Sequence, residues 1–241
     1  MRSAWWWGSK QWAEYQQAYY HGQAPDEYKT SPLANDHDFG VQPGEFVFGE
    51  RDARGFATVN PLCPWTITVH RTRVIDLTVP IEQLWQGVRK SYHSIIHRAE
   101  ELFCIEESQS LMPFRILHHE VFGNVRSEQT FIIQQQWMKQ GNAMSVVASV
   151  IADEGTQANI AAALWILYEG CAYYASGPAL EKNVQHAVIW KSLELLKAKG
   201  IRLVELGQID GETEKEKNIG KFKGGWGGTV QPFTIARRRA A

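Results

Sequence analysis

Apolar residues recur along this chain with two different periods, and the switches between the periods mark its elements. Around residues 80–101, Leu84, Val88, Tyr92 and Ile95 return every three or four positions, with Arg89, Lys90 and Arg98 about them. This predicts one long helix with Pro80 in its opening turn. Residues 112–138 keep the helical period but are interrupted near Gly123, so a kink or two helices are expected. Apolar runs at 145–152, 160–168 and 171–175 then read as three strands, separated by turns at Asp153-Glu154-Gly155 and Glu169-Gly170. Residues 180–199 return to helical spacing, end in lysines with Gly200 as a cap, and feed a strand at 201–206.

The first third of the chain is less regular. Ser9 is placed to cap a helix in which Trp12, Tyr15 and Tyr19 form a stripe suited to core packing. Residues 22–44, with Pro25, Pro32 and Pro43, read as a long loop, and short strands are expected at 45–48, 65–70, 73–77 and 103–106. Antiparallel strands leading into a helix and then another strand argue for an α+β fold with a mixed α/β sheet, not a bundle or sandwich. The expected division is a small N-terminal α+β region over residues 1–79 and a larger domain over 80–241.

Composition narrows the class. The 241 residues are 44% apolar with a formal charge of −1, which fits a soluble globular chain of one large or two small domains. Charge is concentrated at the end: from Lys215 onward there are seven basic residues against one acid. Cys63, Cys104 and Cys171 are odd in number and lack CxxC spacing, so neither a disulfide framework nor a zinc site is indicated. With no signal-like apolar run at the start and no membrane-length segment, a cytoplasmic protein is expected. GxSxG, Walker, GxGxxG and HExxH patterns are all absent, and His93 with His97 lacks a third ligand, so no metal is expected.

The densest chemistry lies at residues 215–228, KEKNIGKFKGGWGG, where lysines, glycines and two aromatics converge. Glycine allows close approach and positive φ, and if the segment is extended Lys221 and Lys223 face opposite ways, leaving one to meet an anion. The competing reading is a solvated charged helix with a glycine turn. Upstream, Tyr174 and Ser176 end a strand on what alternation makes one face, suited to bonding an acceptor or relaying a proton. His186 is a candidate base near neutrality. His118 and His119 diverge by about 100° on a helix, so at most one faces a pocket. Arg126 is suited to clamping a carboxylate or phosphate or to bracing the sheet.

Four segments taken in order resemble FemABX-like proteins: LWQGVRKSYHSIIHRA at 84–99, Leu117-His118 through Gly123 with Arg126-Ser127 and Gln134, AYYASG at 172–177 followed by His186 and Trp190, and Gly207 with 215–228. The resemblance spans about residues 75–235 and implies the GCN5-related N-acyltransferase (GNAT) fold with a reduced N-terminal companion region. It also implies an acyltransferase that moves an amino acid from aminoacyl-tRNA to an amine of a cell-wall, polysaccharide or natural-product precursor. On that likeness Lys223, of the Phe222-Lys223 pair, sits in the donor channel and holds a donor phosphate or the oxyanion, while Lys221, Trp226, His118 and Arg126 contact substrate. No tightly bound cofactor is implied; the co-substrate is aminoacyl-tRNA or acyl-CoA, and the acceptor a small or carrier-linked amine. Residues 177–183, GPALEKN, lack the glycine-rich loop that cradles a coenzyme A diphosphate, which favours aminoacyl-tRNA. The alternatives are a coenzyme A-dependent N-acetyltransferase and a non-catalytic binding subunit.

Overall fold

A computed structural model describes residues 27–29, 65–151 and 157–238. The expected helix around Trp12 to Tyr19, the loop at 22–44, the strand at 45–48, Cys63 and the turn at 153–155 lie outside the described residues. The chain divides into two compact units, residues 1–72 with 230–241, and residues 73–229. The larger unit thus begins inside a strand, at Arg73, and residues from Val230 onward group with the first unit.

In chain order the elements begin with β1 (Glu27–Lys29), β2 (Trp65–Asp76), α1 (Ile81–Gly87), α2 (Lys90–Leu102) and β3 (Cys104–Ser108). They continue with α3 (Met112–Phe122), α4 (Glu128–Lys139), β4 (Ala143–Ile151), β5 (Gln157–Tyr168) and β6 (Cys171–Ser176). The chain closes with α5 (Val184–Ala198), β7 (Leu203–Gln208), α6 (Glu214–Gly224) and β8 (Thr229–Arg238). In the first unit β1 pairs antiparallel with β8, Tyr28 opposite Ala236.

The sheet of the second unit runs β2-β7-β6-β5-β4-β3. β3 through β6 are antiparallel neighbours, and β6 with β7 is a parallel pair, so the sheet is mixed. One face carries Met144, Val146 and Ala148 of β4, Ala163 and Trp165 of β5, Ala172 of β6, and Val204 and Leu206 of β7. These pack with Leu84 of α1, Tyr92 and Ile96 of α2 and Val88 between them, and with Val188, Ile189 and Leu193 of α5. The opposite face is covered over β4 and β5 by α3 and α4, which bury Phe114, Leu117, Phe131 and Trp137. A strand covered on both faces needs apolar residues at every position. β5 meets that need with Ala161, Ala162, Ala163, Leu164 and Trp165, all fully buried, and the run of three alanines admits close helix approach on both sides.

The single helix expected over 80–101 is instead α1 and α2, separated by extended backbone at Val88 (φ −73, ψ 138) and Arg89 (φ −53, ψ 128). Periodicity survives the break because the apolar residues on both sides still face the sheet. His93 takes up groups that the break releases, with Nε2 at 3.1 Å from the carbonyls of both Trp85 and Val88. The lysine-rich segment that opens at residue 215 is helical, as α6, not extended. Its start is fixed by a capping box in which Thr213 and Glu216 satisfy each other's backbone N–H groups.

Ile96 lies in the centre of the main core with no exposure. Ile96→Ala is expected to cost about 2–5 kcal/mol by urea unfolding, the range for an emptied core position.

Candidate functional site

The parallel pairing of β6 with β7 joins Cys171 to Leu203, Ala172 to Val204 and Tyr173 to Glu205. Both strands then run on for three more residues, to Ser176 and Gln208, beyond this register. Two local irregularities accompany the parting. β6 carries a bulge against β5, because Trp165 pairs with Tyr174 but the preceding Leu164 pairs with Ser176. β7 carries Gly207 at φ +74. The pairing ends toward the carboxyl ends of these parallel strands, the region where α/β sheets bind ligands, and this parting is the candidate opening. α5 starts beside it, after Asn183, with no side chain capping its first N–H groups.

Lys223 reaches this opening from α6, its ammonium donating to the Gln208 carbonyl at 3.0 Å. A Cβ placed on Gly207 would sit 3.1 Å from the Tyr173 hydroxyl and 3.4 Å from the Lys223 ammonium. Tyr173 and Lys223 therefore converge over a position that only glycine fills without strain. Glu205 is Tyr173's register partner on the same face, with 2% exposure. Sequence reading singled out neither Tyr173 nor Glu205. The available signals were the acid inside the otherwise apolar run Leu203-Val204-Glu205-Leu206, and strand alternation, which turns Tyr173 away from its neighbour Tyr174.

Tyr174 faces the main core, its ring 5.1 Å from that of Trp165, and its hydroxyl accepts from Gln185 Nε2 at 3.1 Å. Burial raises this phenol well above its ordinary range, against the smaller opposing effect of Gln185. Ser176 pairs with Leu164, the residue next to Trp165, and so belongs to the opposite face. The expectation that Tyr174 and Ser176 share a face fails because the bulge inserts one residue between them. Gly177 closes over this corner, since a Cβ there would collide with the Tyr174 hydroxyl and the Gln185 amide.

His186, in the first turn of α5, is buried edge-on against Tyr92 and Phe222, with ring centroids at 4.3 and 5.0 Å. Burial holds its pKa below the usual imidazole value; the Asn183 carbonyl opposes that shift and nearby Arg89 reinforces it. Nδ1 lies 3.2 Å from that carbonyl, which only accepts, so the neutral ring carries its proton on Nδ1 and its lone pair on Nε2. Trp226, expected to touch substrate, is 2% exposed and packs into the core against Tyr92, Phe222 and His186. Lys221 points elsewhere on α6, its ammonium 3.5 Å from Asn218 Oδ1.

His118 and Arg126 form a pair of their own at the α3–α4 connection. His118 turns inward among Phe114, Phe122 and Phe131, while His119 is exposed. Burial, aided by Arg126 and His119, lowers the His118 pKa to about 4. His118 Nδ1 and Arg126 Nη1 are buried without a hydrogen-bond partner among the described residues. Burial also pushes the Cys171 thiol up to about 11, which keeps it protonated. Among the described residues no group of three or more His, Cys, Asp or Glu is gathered to hold a metal, and no helix is long and apolar enough to cross a membrane.

The mixed sheet, with its parallel pair that parts after three residues and helices on both faces, is a fold shared with solved structures of FemX and L-PGS. Among solved structures, that of FemX aligns over 68% of this chain and 61% of its own, with a TM-score of 0.57 and 12% identity. That of L-PGS from Bacillus licheniformis aligns over 73% of this chain and 63% of its own, with a TM-score of 0.51 and 15% identity. The chain thus spans less than two thirds of either structure, and at these identities the likeness concerns the fold. No family model matches the sequence, and no curated protein matches it.

The buried His118 gives a test by pH. Its folded pKa of about 4 lies below the ordinary 6.5, so between those values the unfolded chain binds more protons and stability falls as pH falls. The shift corresponds to roughly 3 kcal/mol at full effect. His118→Leu is expected to flatten the loss of unfolding free energy between pH 6.5 and 4; an unchanged slope contradicts the assignment.

Proposed function

We propose that this protein is an acyltransferase that forms an amide by moving an aminoacyl group, from aminoacyl-tRNA, onto an amine of a cell-wall, polysaccharide or natural-product precursor. The observation that carries the reading is the convergence of Lys223 and Tyr173 over Gly207, at the mouth of the parted strands. The likeness of fold to FemX supports it.

Transfer from an ester to an amine forms a C–N bond, breaks a C–O bond, and passes a proton from the amine to the departing hydroxyl. The tetrahedral intermediate bears an oxyanion, and a preorganised cation there contributes about 3 kcal/mol. Lys223 is suited to that role or to holding a donor phosphate, and the Tyr173 hydroxyl adds a second donor. His186 supplies a lone pair for the amine proton, since its neutral form needs no prior deprotonation. Tyr174, tied to Gln185 and raised in pKa, serves better as a wall than as an acid or base. Arg126, with the neutral His118 beside it, suits an anionic group on the acceptor.

Coenzyme A as donor is the second reading, favoured by the uncapped N-terminus of α5 beside the opening, a place suited to a diphosphate. The glycine-poor loop at 177–183 weighs against it. Stabilisation against heat by acetyl-CoA, with none from charged tRNA, favours the second reading over the first.

The direct assay compares product from charged tRNA and from acyl-CoA over a panel of amines. Lys223→Ala is expected to lose about a hundredfold or more in kcat. Product from neither donor, or full activity in the variant, overturns the proposal. Gly207→Ala is expected to reduce turnover comparably, because its Cβ both strains a positive φ and intrudes where Tyr173 and Lys223 meet.

A further inference from the structure

We propose that Arg89 and Tyr92 are positioning residues for Lys223, holding the last turn of α6 by its carbonyl oxygens and thereby setting where the ammonium sits. The inference rests on the reading of Lys223 as the cation of the site. The last carbonyls of a helix have no partner within it. In α6 the Phe222 and Lys223 carbonyls accept from the N–H groups of Gly225 and Trp226 at 3.1 and 3.3 Å, and further donors come from α2 and the residue before it. Arg89 Nη2 donates to the Lys221 carbonyl at 3.2 Å, and the Tyr92 hydroxyl donates to the Phe222 carbonyl at 3.2 Å. The Arg89 backbone N–H donates to the Gly225 carbonyl at 2.7 Å. Carbonyls on both sides of Lys223 in sequence are thus held by two residues, three apart, at the start of α2.

The clamp is itself braced. The Arg89 guanidinium stands 5.2 Å from the centre of the Tyr92 ring, with Nη1 3.5 Å from the phenol oxygen. Gly225 lies flat against that ring, since a Cβ there would collide with it. The break between α1 and α2 gains a purpose: in a continuous helix the Arg89 N–H would bond within the helix, whereas extended backbone aims it at Gly225. Lysine has four rotatable bonds, so its ammonium is placed only if both ends are held. Gln208 holds the tip, and Arg89 with Tyr92 holds the root.

Tyr92 also packs against α5. His186 packs edge-on against its ring at 4.3 Å, so the same tyrosine supports the candidate base on α5 and the turn that carries Lys223. One side chain thus contacts both the first turn of α5 and the last turn of α6.

The experiment uses full-length protein carrying Tyr92→Phe, Arg89→Lys or Arg89→Met, with two readouts. In turnover, Tyr92→Phe keeps the ring but loses the donation to Phe222, and is expected to lower kcat about tenfold or more with KM little changed. Arg89→Lys is expected to behave like Arg89→Met, because lysine keeps the charge but not the fork; recovery of kcat by lysine would mean that charge near His186, not the clamp, is what matters. In peptide-resolved amide hydrogen exchange, all three variants are expected to speed exchange at the C-terminal end of α6 while leaving β5 unchanged. Unaltered exchange in α6, or full kcat in Tyr92→Phe and Arg89→Met, overturns the inference. If the wild type turns over neither donor, the proposed function fails, and the exchange alone decides whether the clamp exists.

Discussion

The structure turns on the place where β6 and β7 stop pairing. Parallel strands held together to their ends would fill the sheet and leave no entry. Here the register ends at Tyr173 and Glu205, the bulge at Ala175 turns one strand, and the positive φ of Gly207 turns the other. Beyond that point the two strands no longer share a ladder, and polar groups from nearby elements gather there. α5 begins there, Lys223 of α6 donates to the Gln208 carbonyl there, and Tyr173 reaches the same spot from the strand itself. A buried polar opening is costly unless its groups are bonded, which is why the lysine and the glutamine carbonyl meet.

The glycines of the C-terminal segment serve the protein's own chain. A Cβ on Gly225 would strike Tyr92, one on Gly227 the Gly87 carbonyl, and one on Gly228 the Val74 carbonyl. Arg73 donates to the carbonyls of Gly227 and Gly228 at 3.1 Å each. The segment is therefore a close-packed closure in which α6 is seated against α1 and α2. Aromatic packing completes it, with Tyr92, His186, Phe222 and Trp226 in mutual contact. The carbonyls of Gly225, Gly227 and Gly228 are thus engaged within the chain, by the Arg89 N–H and the Arg73 guanidinium.

Much of this was legible in the sequence, for identifiable reasons. The strands β4 to β6, the helix α5 and the strand β7 follow from hydrophobic period and turn residues, since each element buries a face against the same sheet. The four resembling segments, in order, pointed to the fold. What periodicity cannot show is a defect in periodicity. The break at Val88 and Arg89 leaves the apolar stripe intact, and the bulge in β6 shifts Ser176 to the other face without changing a residue type. Tyr173 and Glu205 stayed hidden because alternation was read for Tyr174. Trp226 was expected to contact substrate, whereas burial assigns it to the core.

The central claim is that Tyr173 and Lys223 act together on one reacting group at the parted strands. It is tested most directly by a double-mutant cycle on kcat/KM with Tyr173→Phe, Lys223→Met and the pair. Groups that serve one oxyanion are not additive, so the double variant is predicted to lose about as much as the worse single variant. Losses that multiply would mean two independent sites, and would contradict the account.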